Sequence, residues 1–139
     1  MRGRYVFLSG PILNAEDGGK DWRLQVYRYS YDHEWGLKIF DPDEFFDYDW
    51  NNQYQKSDRQ IREYYFQGIK KAEVVLVNLN GTDSSIGTGC EVTYANCHDV
   101  PVVGWGDTNV YPWIRDMCTV VFDTLEEALG YLSVYYDLE

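Results

Sequence analysis

The sequence predicts an α/β fold: a doubly wound, Rossmann-like or flavodoxin-like sandwich around a five-stranded parallel sheet in the order 2-1-3-4-5. Three observations carry that expectation. Short apolar, β-rich runs alternate with helix-like segments along the whole chain. The run AEVVLVNL is almost continuously apolar, as a strand buried on both faces must be. No internal repeat or low-complexity linker breaks the alternation, and 139 residues suit one domain, taken as 1–139, with one core.

Each element follows from a local pattern. RYVFLSG (4–10) is β-rich, ends in glycine, and is read as the first strand. DWRLQVYRYSY (21–31) carries Trp22, Val26 and Tyr29 at helical spacing. LKIFDP (37–42) is the second strand, stopped by Pro42. Residues 43–56 are acidic and aromatic without a clear period, which predicts a long loop of the kind that often serves function. Ser57 with Gln60 forms a capping-box pattern, and Ile61, Tyr65 and Ile69 then recur every four residues on one helical face. The buried strand 72–79 is followed by the glycine-rich turn and a helix from about Gly89 to Cys97. VPVVGWG (100–106) and CTVVFD (118–123) are the last strands. Thr124 and Glu127 offer a cap for a final helix over 125–136. The closing Leu138-Glu139 reads as a cloning scar.

Charge and composition exclude several functions. A net charge of −11 argues against a nucleic-acid polymer as partner, which would demand clustered Lys and Arg; a small nucleotide held by backbone amides stays open. Thirteen Tyr and five Trp supply core padding and a subunit interface, or a base-stacking pocket. Three cysteines, Cys90, Cys97 and Cys118, are an odd number without CxxC spacing, which favours a reducing, cytoplasmic setting over a disulfide framework. Cys90 is read as buried packing. The sequence shows no signal peptide and no apolar run of about twenty residues, so no membrane partner is expected. His33 and His98 lack ligand spacing and are read as surface residues, and no metal or organic cofactor is implied. The dinucleotide pattern G-x-G-x-x-G is absent, which speaks against nicotinamide or flavin chemistry.

In such a sheet, ligands bind beyond the carboxyl ends of strands one and three, where the strand order reverses. Both loops there are distinctive. The first holds Ser9, Gly10, Pro11 and Ile12; the second runs NLNGTDSSIGTGCE and holds Ser85, Gly87, Thr88 and Gly89. Glycines let backbone approach a ligand closely, and a helix start attracts anions or hydroxyls. Glu91, placed in the first turn of the following helix, has two readings. It is a glutamate on the helix dipole, contributing about 0.3–1 kcal/mol, or a carboxylate nucleophile suited to an anomeric carbon with an oxocarbenium-like transition state. Asp41 and Asp43, after strand two, are either a solvated turn around Pro42 or carboxylates that hold a base edge or ribose hydroxyl.

FLSGPI near the start, paired with SIGTGCEVTYA after strand three, resembles the nucleoside 2-deoxyribosyltransferase family, which also contains nucleoside monophosphate N-glycosidases. VPVVGWG and DTLEEALGYLSVYY extend the resemblance over most of the chain. It implies that Glu91 attacks C1′ and forms a covalent glycosyl-enzyme. It also implies that Ser85 contacts the 5′ side of the sugar, with Gly87 and Gly89 in the same motif, and that Gly10 and Ile12 line the nucleoside. Two positions depart from the family pattern: Phe7 stands where many members have a strand-one tyrosine that hydrogen-bonds the nucleophile, and Tyr65 where many have a helix-two aspartate that helps the base leave. A phenol with a pKa near 10 is a poor general acid unless its site shifts it, and Tyr65 also belongs to the apolar stripe.

The expected activity is therefore cleavage of the N-glycosidic bond of a (deoxy)nucleoside or nucleotide, with the sugar passed to another base. A nucleoside 5′-monophosphate N-glycosidase is the alternative, and a non-catalytic nucleotide-binding module a further one. The expected partners are a small nucleoside or nucleotide and a free nucleobase. The resemblance also implies pockets completed by a neighbouring subunit. The segment 109–117, with Tyr111 and Trp113, and the final helix, with Tyr131, Tyr135 and Tyr136, supply aromatic material for such a homo-oligomer.

Overall fold

The computed structural model describes residues 4–12, 17–42, 57–82 and 85–137. The expected acidic loop 43–56, including Asp43, and the closing 138–139 lie outside the described residues.

Five parallel strands, β1 (Tyr5–Ser9), β2 (Lys38–Phe40), β3 (Val74–Asn78), β4 (Val102–Trp105) and β5 (Val120–Phe122), form one sheet in the order β2-β1-β3-β4-β5. The helices are α1 (Lys20–Asp32), α2 (Asp58–Lys71), α3 (Ile86–Cys97), α4 (Pro112–Asp116) and α5 (Leu125–Tyr135). Fold class and strand order are those the alternation predicts. β3 lies between β1 and β4, and its Val74, Val75, Leu76 and Val77 are all fully buried, which explains why its sequence is apolar without alternation.

The pleat sorts side chains onto two cores. Val6, Leu8, Val74, Leu76 and Val103 pack with Trp22 and Val26 of α1 and Leu125, Ala128, Leu129 and Leu132 of α5. Phe7, Val75, Val77 and Val102 face the other way, onto Ile69 of α2 and Val92 and Ala95 of α3. Side chains two residues apart share a sheet face, so Ser9 points with Phe7 toward α2 and α3. That register brings the end of β1 to the site.

The capping box on α2 forms as the sequence indicates: Ser57 accepts from the Gln60 backbone amide, and the Gln60 side chain accepts from the Ser57 amide. Two boundaries differ from expectation. α3 starts at Ile86 rather than near Gly89, because Ser85 caps it by accepting from the Thr88 amide. Gly87, Thr88 and Gly89 are thus helical, and the glycines did not end the helix as their low propensity suggests. The segment 109–117 contains the short helix α4, whose first residue is Pro112, where a missing amide costs nothing.

Candidate active site

The earlier start of α3 moves Glu91 into the second helical turn, away from the free amides at the helix end. A role for Glu91 in steadying the helix dipole therefore falls away. Its carboxyl turns inward instead, and Oε1 accepts a 2.7 Å hydrogen bond from the Ser9 hydroxyl. The tyrosine hydroxyl that the resemblance led us to expect on this carboxylate is missing at Phe7. Ser9, two residues further along the same face of β1, supplies a hydroxyl in its place. Glu91 keeps part of its surface open to a cleft, yet its carboxyl is packed deeply enough for desolvation to dominate. Burial raises its pKa from an ordinary value of 4.5 to about 7; the Ser9 hydrogen bond and the positive charge of Arg23 act in the opposite direction.

Arg23 is a residue that the sequence patterns did not single out. It lies on the inward face of α1 beside Trp22 and is 2 % exposed. Its guanidinium pairs with Asp41 Oδ1 at 2.8 Å and donates to the carbonyls of Leu8 (3.2 Å), Gly10 (3.1 Å) and Gly19 (2.9 Å). One side chain thus ties together the ends of β1 and β2 and the start of α1. Asp41 is correspondingly buried at 4 % exposure. One earlier reading of Asp41 needs correction. It is not a solvated turn but a buried carboxylate with Oδ1 held by Arg23.

The cleft has a volume of about 350 Å3 and runs between α2 and α3. Asp58, Ile61, Arg62, Tyr65 and Phe66 line one side, and Gly87, Cys90 and Glu91 the other. Of the expected site residues, Glu91, Gly87 and Tyr65 come together here, with Ser9 behind Glu91. A Cβ built on Gly87 or Gly89 would meet nothing within 4 Å, so both glycines leave open space above the helix. Thr88 is buried, and Ser85 and Thr88 hydroxyls hydrogen-bond each other at 2.7 Å.

The first loop behaves differently from expectation. Gly10 and Pro11 are buried and Ile12 partly so, and none of the three lines the cleft. A side chain at Gly10 would meet Asn78 Cβ at 3.0 Å and the Trp22 ring at 3.2 Å, so packing by itself demands glycine here. Tyr65 donates its hydroxyl to the Pro42 carbonyl at 3.0 Å and sits edge-on to Phe7. Cys90, expected in the core, is exposed at the cleft. Besides Arg23, the sequence patterns missed Asp58, Arg62 and Phe66. Their signal was available: they recur every four residues in a row flanking the Ile61–Tyr65–Ile69 stripe.

Among solved structures, a 2-deoxyribosyltransferase from Bacillus psychrosaccharolyticus superposes with a TM-score of 0.73 at 18% identity, covering 91% of each chain. The chain has the 2-deoxyribosyltransferase fold. A 2-desoxiribosyltransferase from Leishmania mexicana is similar at a TM-score of 0.71 and 14% identity, covering 96% of this chain and 99% of that one. The CMP N-glycosidase BcmB of Clostridium botulinum gives 0.61 at 16% identity, covering 94% and 99%. No protein-family model and no curated protein matches the chain. Within this deoxyribosyltransferase fold, Glu91 lies on the helix that follows the third strand, at the reversal of strand order.

Ser9 gives the site a direct test. Its hydrogen bond favours the ionised form of Glu91, so Ser9→Ala should raise the pKa of that carboxyl. A hydrogen bond to a charged group contributes about 1.5–3 kcal/mol. If Glu91 must be ionised to act, turnover below neutral pH should fall about tenfold or more and the acid limb of the pH–rate profile should move to higher pH. An unchanged limb in Ser9→Ala would show that this hydroxyl does not tune Glu91.

Proposed function

We propose that this protein cleaves the N-glycosidic bond of a nucleoside or nucleotide, with Glu91 as nucleophile, and passes the sugar to another base. The observation that carries this reading is a partly desolvated carboxylate, hydrogen-bonded by Ser9, facing a cleft at the switch point. A Glu91 oxygen attacks C1′, the C1′–N bond breaks, and its electron pair leaves with the base. In the second step a ring nitrogen of the acceptor base attacks C1′, its N–H proton passes to water, and the carboxylate departs. A pure binding module gains nothing from desolvating a carboxylate beside its ligand, which argues against that alternative. The names of the similar structures, two deoxyribosyltransferases and an N-glycosidase, lend support to the same chemistry.

Hydrolysis is the second reading. Ser85 at the start of α3 is neutral and can accept a 5′-phosphate where an aspartate would repel one, and water would then replace the acceptor base. One experiment separates the two: incubate the protein with deoxynucleosides, ribonucleosides and their 5′-monophosphates, with and without a free acceptor base, and resolve the products by chromatography. A new nucleoside formed only with acceptor supports transfer. Sugar or sugar phosphate released at the same rate either way supports hydrolysis. An intact panel contradicts both.

We further propose a homo-oligomer with pockets shared between subunits. Tyr111 (54 % exposed), Trp113 (73 %) and Tyr135 (61 %) leave large aromatic surface uncovered. Light scattering over a dilution series should show a dimer or a dimer of dimers, with activity falling as it dissociates. A fully active monomer at every concentration would remove both the oligomer and the shared pocket.

A further inference from the structure

The proposed reaction leaves one chemical demand unmet. Breaking the C1′–N bond loads negative charge on the departing base, and something must receive it. Tyr65 already donates its hydroxyl to the Pro42 carbonyl, so that proton is committed to a backbone oxygen. On the other side of the cleft, Glu91 brings negative charge. Asp58 also lines the cleft, and a carboxylate beside a departing anion repels it.

Among the described residues, Arg62 is the cation that lines this cleft. It lies one turn before Tyr65 and Phe66 on α2, and it lines the same space as Glu91. Its neighbour Arg59 is held in an ion pair with Glu63 at 2.8 Å. Arg62 itself makes no side-chain ion pair or hydrogen bond among the described residues. In a chain of net charge −11, an arginine on the wall of a cleft that makes no ion pair among the described residues is available to a ligand. The wall around it is apolar and aromatic, formed by Ile61, Tyr65 and Phe66, which suits a planar base better than a phosphate. The free glycine surface at Gly87 lies on the other wall, toward the start of α3, where a sugar or phosphate finds backbone amides.

We propose that Arg62 is a catalytic residue that contacts the leaving base and stabilises it as it departs as an anion. This deepens, and rests on, the reading of Glu91 as nucleophile. In the step, the Glu91 oxygen bonds to C1′, the C1′–N pair moves onto the base, and Arg62 donates hydrogen bonds to a ring nitrogen or carbonyl oxygen of that base. The guanidinium keeps its proton; the base anion takes one from water after release. A permanently charged donor thus does what a protonated carboxylic acid would otherwise do, and it does so without depending on its own titration.

The test uses Arg62→Met and Arg62→Lys, with nucleosides of one sugar carrying bases of graded acidity. Removing a donor aimed at developing charge typically lowers the rate by about 10²–10³-fold. Arg62→Met should show that loss with weakly acidic leaving bases and lose less than about tenfold with strongly acidic ones, which need no help. Arg62→Lys should recover part of the rate. An equal loss across the whole series would overturn the proposal and leave Arg62 a structural residue. A loss confined to 5′-monophosphates would also overturn it and assign Arg62 to the phosphate. A second measurement does not depend on turnover: titrate free nucleobases into the Glu91→Gln protein above and below the pKa of each base. Tighter binding of the anionic form, lost in Arg62→Met, supports Arg62 as the contact for the base anion; if the turnover panel is also blank, the glycosidic reading fails and with it the catalytic role, while the binding contact stands. An anion preference that survives Arg62→Met overturns it.

Discussion

Replacing Glu91 by Gln is expected to lower glycosidic cleavage by on the order of 10^4-fold or more, because an amide cannot form the covalent glycosyl ester. The same substitution should leave the fold intact and change its pH dependence. The carboxyl has a folded pKa of about 7 against an ordinary 4.5. Between these values the folded protein holds a proton that the unfolded chain has released. Stability from this group is therefore fully present below about 4.5 and is lost as pH rises through about 7. Each pKa unit is about 1.4 kcal/mol, so the loss amounts to at most roughly 3 kcal/mol, less what solvent in the cleft screens. Glu91→Gln carries no such term. Its stability relative to the parent should rise across that window, measured as the urea midpoint at pH 4.5 and pH 8. Equal midpoint differences at the two pH values would show that the carboxyl is not desolvated. Near-normal turnover by Glu91→Gln would reject it as nucleophile.

The second large effect is expected at Arg23. Arg23→Met leaves Asp41 buried without its cation and removes the donor from the Leu8, Gly10 and Gly19 carbonyls. Breaking a buried ion pair from one side costs about 3–5 kcal/mol, which denaturant unfolding at pH 7 would register. Arg23 also lowers the pKa of Glu91 through its charge, so the acid limb of any activity that survives should move to higher pH. Arg23→Met with Asp41→Leu should recover much of the stability, since an apolar pair no longer buries a lone charge. It should not restore the limb. A stability loss below about 1 kcal/mol in the single variant would contradict the structural weight given to this residue.

These elements also show what the sequence made legible. The sheet was readable because each strand is a short apolar run between capped helices, and buried parallel strands leave no other pattern. Ser57 announced α2 through a local, side-chain-to-backbone cap. The start of α3 was misplaced because two glycines look like a break, while the cap that begins the helix sits ahead of them at Ser85. Glu91 was legible by motif. Its environment was not, since the Ser9 contact joins residues 82 positions apart and depends on the pleat of β1. Arg23 stayed hidden for a related reason: a charged residue on an inward helical face reads as surface until its partner Asp41 is located. Nothing local in the sequence singles out Arg62; only the packing of α3 against α2 places it on a cleft.

The proposed chemistry turns on a covalent bond between Glu91 and the sugar. Acid-quenching the protein during turnover of a substrate from the panel, followed by mass spectrometry of its peptides, tests it most directly. A peptide containing Glu91 is expected to be heavier by one glycosyl group, and the heavier species to be absent from the Glu91→Gln protein. Turnover with no such adduct, or with the sugar attached to another residue such as Cys90, would contradict it.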